Sequence, residues 1–128
     1  MELCLVDTSS WIEALRKEGD ASVRRRVSEL LKQGRAATCE LIILELWNGA
    51  RGSREQTELE KVADALPSLP IDKETWKLAY ETSRSCRRNG ITVPASDILI
   101  QACSRRHGAT IEHNDAHFEL IEGLLATK

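Results

Sequence analysis

Nothing in this 128-residue chain approaches the roughly 20 consecutive apolar residues that a membrane-spanning helix needs. No membrane partner is therefore expected. No basic segment precedes the first apolar stretch, which ends in an acid, so a secretory signal is not expected either and the chain is placed in the cytoplasm. The four cysteines, Cys4, Cys39, Cys86 and Cys103, show no CxxC or close Cys/His spacing, which excludes an ordinary zinc site and leaves them as small buried hydrophobes. A basic excess is missing too: the formal charge of −2 gives no general affinity for phosphate. There is no repeat, linker or low-complexity tract, and the length suits one domain spanning 1–128.

The net charge conceals a pattern. Arginines gather at Arg24-Arg25-Arg26, at Arg51 with Arg54, at Arg84 with Arg87-Arg88, and at Arg105-Arg106. They read either as solvated helix faces or as a positive rim around an acidic centre.

Short apolar runs alternate with helical periodicity. Residues 3–6 form a continuous apolar run, the pattern of a strand covered on both faces, ending at Asp7. Hydroxyl caps then start a helix at Ser9 or Ser10, stopping near Gly19. Asp20 caps a second helix with Val23, Val27, Leu30 and Leu31 inward, ended by Gly34. A strand over 36–38 precedes helices over 40–50 and 55–66, and an extended piece over 69–71 follows. Asp72 caps a long helix with Trp76, Ala79, Tyr80 and Ser83 on one face, ended by Asn89-Gly90. Another helix runs from Ala95 to Gly108, then a strand over 110–112 and a last helix over 117–125. This alternation predicts an α/β fold, a three-layer α/β/α sandwich with a short, mainly parallel sheet. Trp11, Trp47 and Trp76 are all expected in the core, as large aromatics usually are.

In such sheets ligands bind beyond the carboxyl ends of the strands, where Asp7 and Asp115 fall. Glu45 and Asp97 sit on helices among apolar neighbours, where an acid costs free energy unless something neutralises it. Carboxylates brought together are relieved by a hard divalent cation with oxygen ligands, Mg²⁺ or Mn²⁺, which supports phosphodiester hydrolysis without a Ser/His/Asp triad. Spacing alone does not separate this from four unrelated surface acids.

Four stretches in order resemble the motifs of the PIN-domain family. Leu5-Val6-Asp7-Thr8-Ser9-Ser10-Trp11-Ile12 looks like the first, and Leu44-Glu45-Leu46-Trp47-Asn48-Gly49-Ala50 the second. The stretch from Gly90 to Ile100, containing Asp97, is similar to the third, and Gly108 to Phe118, containing Asp115, to the fourth. The likeness spans about residues 3–121. Its length suits the VapC toxins among them. The resemblance implies a PIN-like fold and a metal-dependent endoribonuclease, the toxin of a type II toxin-antitoxin module. Asp7 and Asp97 would be its principal Mg²⁺ ligands, Glu45 a further ligand or water-orienting acid, and Asp115 a second-site or outer ligand. Ser9 or Ser10 would position Asp7. Implied partners are RNA as substrate, a VapB-type antitoxin whose tail enters the acidic pocket, and a second copy of the chain, with Trp47 and the segment from Leu41 to Leu66 as the homodimer contact. Many relatives carry an acid before the final aromatic where this chain has His117. His117 then reads as a surface residue in preference to a catalytic base, and His113 as structural. The alternatives are a non-catalytic RNA-binding PIN platform, disfavoured by the full set of acids, and a receiver-like domain, disfavoured by the lack of lysine between residue 90 and Lys128.

Overall fold

The computed structural model describes residues 2–126. Strand β1 (Cys4–Val6) is central, flanked by β2 (Ala36–Ala37) and β3 (Thr110–Glu112), and both pairings are parallel. Successive side chains of a strand point to opposite faces, so complete burial of Cys4, Leu5 and Val6 means that both faces of β1 are covered. The apolar run at the N-terminus has that arrangement as its cause.

Among the described residues seven helices supply the cover. After β1 come α1 (Thr8–Leu15) and α2 (Ala21–Lys32). Between β2 and β3 lie α3 (Glu40–Gly49), α4 (Gly52–Ala65), α5 (Lys73–Arg88) and α6 (Ala95–Arg106), and α7 (Ala116–Ala126) follows β3. The main core joins Leu5 and Val6 to Trp11, Val23 and Val27 of the first two helices and to Ile42, Leu59 and Ile100 beyond. A second cluster, with Ala79, Cys86, Ile98, Ala102 and Ile121, closes α5, α6 and α7 together, and Leu41 and Ile71 pack against both. All four cysteines are buried, and none forms a disulfide with a described residue.

Most element ends follow local chemistry. The Asp20 carboxylate accepts from the Val23 amide, and Asp72 and Thr75 form a reciprocal capping box at α5. Gly34 takes a positive φ of 68° just beyond α2, a conformation that needs glycine. The first helix stops at Leu15, short of Gly19, because the chain folds back there until Gly19 lies against the Glu13 backbone with no room for a Cβ. The fourth starts at Gly52, a turn before its expected start.

Three expectations about the core fail, the first on α2, where Leu31 faces outward and is 44% exposed. Helix α5 buries Thr75, Ala79, Thr82, Ser85 and Cys86, while Trp76 and Tyr80 face outward. Small residues are what close approach of α5 to α6 accommodates, so the aromatics are displaced to the other side. Of the three tryptophans only Trp11 is buried; Trp47 and Trp76 are exposed.

Candidate metal centre

Four acids and one histidine come from four places in the fold: the end of β1, α3, the start of α6 and the start of α7. Asp7 directly follows β1, held there by its amide, which donates to the Glu112 carbonyl at 2.9 Å. It is also the N-cap of α1, and its Oδ2 accepts from the Ser9 amide at 3.0 Å and the Ser9 hydroxyl at 2.6 Å. The same hydroxyl accepts from the Asn114 amide at 2.9 Å, tying Asp7 to the loop that carries Asp115. Ser9, not Ser10, therefore positions Asp7.

Asp97 lies in the first turn of α6 and is 7% exposed. Asp115 immediately precedes α7 and accepts from the His117 amide at 2.9 Å. Three of the acids thus stand at helix N-termini, where the macrodipole favours negative charge. Glu45, on α3, accepts from the Thr8 hydroxyl at 2.8 Å.

The imidazole of His117 joins two of these groups. Its Nδ1 stands 2.9 Å from Asp97 Oδ2 and 2.9 Å from Asp115 Oδ1. A nitrogen facing two carboxylate oxygens is stable there as a donor, which places the proton on Nδ1. This corrects the reading of His117 as a plain surface residue. In sequence, the two-residue spacing from Asp115 signals the nearer contact, and nothing signals the one to Asp97, 20 residues away.

The electrostatics are unbalanced. Burial first, then the nearby charges of Asp115 and Asp7, push the Asp97 carboxyl up to about 6. Burial, then the charge of Asp7, raises the Glu45 carboxyl. Among the described residues no lysine or arginine forms an ion pair with any of the four acids. Among the described residues, His117 is the one basic side chain that faces Asp97 and Asp115.

A divalent cation fits this deficit. Asp97, Asp115 and His117 present ligand atoms all within 4.8 Å of one another. Asp7 and Glu45 stand outside that group, Asp7 acting on both Asp97 and Glu45 through its charge. Beside Glu45 opens a cleft of about 240 Å³, lined by Thr8, Ile12, Leu15, Leu46, Arg51 and Leu59 among others.

The PIN domain family model matches residues 4–124. This chain belongs to the PIN domain family. Among its relatives, Ribonuclease VapC11 of Mycobacterium tuberculosis is 40% identical over 124 residues, covering 93% of this chain and 91% of that protein. Ribonuclease VapC21 of the same organism is 28% identical over 106 residues, covering 80% and 77%. Solved PIN structures share the fold. DNA-bound VapBC from Salmonella typhimurium superposes with a TM-score of 0.80 at 23% identity, over 96% of this chain and 95% of that one. FitAcB from Neisseria gonorrhoeae gives 0.78 at 19% identity, over 94% of each chain. The expected PIN-like α/β architecture is thereby met.

Proposed function

We propose that this chain, residues 1–128 acting as one domain, is a metal-dependent endoribonuclease and the toxin of a VapBC-type pair. The observation that carries the reading is the cluster of Asp97, Asp115 and His117, with Asp7 and Glu45 beside it, which has no lysine or arginine partner among the described residues, in a chain so similar to a named VapC ribonuclease. A non-catalytic platform has no use for carboxylates in this state, since each costs stability with nothing returned.

Asp97 and Asp115 hold Mg²⁺ or Mn²⁺ in this reading, with Asp7 completing the charge and Glu45 orienting water from the side of the cleft. When bound, the ion stabilises negative charge on the phosphodiester under attack. Ser9 fixes the carboxylate plane of Asp7, Thr8 that of Glu45, and His117 holds a proton between Asp97 and Asp115 that cation binding must displace or share. The protein acts in the cytoplasm. A VapB-type antitoxin is its partner, its tail lying in the cleft beside Glu45 and bringing a basic group to the acids. A homodimer would cover Leu44, 65% exposed, and Trp47.

The test is cleavage of a mixed RNA pool by purified protein with Mg²⁺ or Mn²⁺, with EDTA and Asp7→Ala as controls. Metal-dependent cuts that vanish in the variant are expected. Intact RNA with folded, antitoxin-free protein would replace this reading with the RNA-binding platform.

A further inference from the structure

The four arginine clusters do not have equal standing in the fold. Arg26 is committed to Glu112 at 2.7 Å and Arg106 to Asp72 at 3.0 Å. Arg51, which lines the cleft already assigned, immediately precedes α4, whose first turn carries Arg54. Arg25 and Arg105 are exposed and form no ion pair with a described residue, and on α5 the same holds of Lys73, Arg84 and Arg87.

These cations share a face with aromatics. The exposed residues Lys73, Trp76, Lys77, Tyr80, Arg84 and Arg87 recur at helical intervals, opposite the buried Thr75, Ala79, Thr82 and Cys86. Trp76 is 43% exposed and Tyr80 56%, with ring centroids 6.1 Å apart and planes tilted by 34°. The two acids of α5, Glu74 and Glu81, lie on the flank of the stripe, and Glu74 is paired with Lys77 at 3.4 Å. In a chain of net charge −2, one helix thus carries five cations against two acids.

We propose that the solvent face of α5 is a binding site for single-stranded RNA, stacking bases on Trp76 and Tyr80 and holding phosphates with Lys73, Lys77, Arg84 and Arg87. This rests on the ribonuclease reading only for its purpose, since binding itself needs no cleavage. Base stacking on aromatics within a basic track is the chemistry by which proteins hold single strands without reading sequence. A protein partner fits less well, because interface centres are depleted of lysine and this stripe has no aliphatic residue to form one.

The stripe also leads somewhere. Arg106 on Asp72, and His107 Nε2 at 2.7 Å from the Pro70 carbonyl, set the end of α6 beside the start of α5. The opposite ends are joined by the loop 89–94 alone, so Arg84 and Arg87 stand at the end of α5 from which the chain passes directly to the Asp97 turn of α6. At 1.5 Å per residue the 16-residue helix is about 24 Å long, room for several nucleotides leading toward the carboxylates.

The test is fluorescence anisotropy of a labelled 12-nucleotide RNA in EDTA at several salt concentrations, with wild type, Trp76→Ala/Tyr80→Ala and Arg84→Gln/Arg87→Gln. All four side chains are exposed, and thermal melting confirms that the variants fold. The aromatic pair is expected to weaken binding about tenfold or more. The arginine pair is expected to flatten the dependence of log affinity on log salt by about one. With metal, both should slow cleavage of long RNA while leaving a trinucleotide substrate unaffected. Wild-type affinity and salt slope in both variants would overturn the proposal, as would a change of oligomeric state with RNA binding intact, which would make the stripe a contact between copies. Cleavage by wild type combined with unaltered variants would sink this site and leave the nuclease standing. RNA binding lost in the variants without any cleavage by wild type would support the site and remove the nuclease.

Discussion

Two acids of this protein are equally shielded, and their surroundings differ. The Glu112 and Asp97 side chains are both 10% exposed. Glu112, on β3, receives the Arg26 guanidinium at 2.7 Å and the Ser10 hydroxyl at 2.7 Å, and the same carboxylate raises the Arg26 pKa. Asp97 receives one imidazole; burial first, then the charges of Asp115 and Asp7, push its pKa up to about 6. Burial alone therefore does not mark a functional acid. An acid with its cation built in is part of the scaffold, whereas Asp97, facing like charge at the start of α6, is left for a cation from outside to complete.

Replacing the acid on each side of this comparison should have unlike results. Asp97→Asn is expected to lower RNA cleavage at least about a thousandfold, on the scale of the several kcal/mol a bound cation supplies. The metal-free variant should melt no lower than wild type, because a repelling carboxylate has gone, and Mn²⁺ should no longer raise its Tm. Wild-type cleavage by folded Asp97→Asn would erase the distinction. On the other side, Arg26→Met should cost about 1–2 kcal/mol in urea unfolding, less than a fully buried pair because the arginine is half exposed, with cleavage per folded molecule unchanged. Unaltered stability would show that Glu112 needs its cation no more than Asp97 does.

A smaller effect sharpens the same contrast at the surface. The Arg106 guanidinium, with the Thr75 amide and hydroxyl, holds the Asp72 carboxyl well below the usual carboxylate range. A depressed folded pKa contributes stability above the unfolded value near 4 and loses it as pH falls through the folded value. Asp72→Asn should accordingly flatten the decline of Tm below about pH 4 and leave the profile above pH 5 parallel to wild type. A decline as steep as wild type would mean that this exposed pair is screened to insignificance.

Much of the fold was legible because its causes are local. The apolar run at 3–6, the Asp20 and Asp72 caps, and the glycine beyond α2 each act within a few residues, and the strands and helices fall where they do for those reasons. The inward face of α5 was not legible. Trp76 and Thr75 are neighbours in sequence, and which of them is buried depends on how closely α6 approaches, a property of the pair of helices. At the candidate site, the acids were named from order and resemblance, but residues filling adjoining roles were missed: His117, through Nδ1, and Thr8, through Glu45. Side-chain partners 20 to 37 residues apart have no periodic trace.

The sequence by itself determined the elements, the α/β class and the PIN family, because hydrophobic period, capping and motif order are properties of short segments. Only the tertiary structure decided which acids meet and which serine holds Asp7. It likewise sent Arg26 to Glu112 and left Arg84 and Arg87 without an ion pair among the described residues, on the face that carries two exposed aromatics. Those outcomes depend on distances between segments far apart in the chain, and electrostatic and hydrogen-bond energies are set by such distances, not by composition.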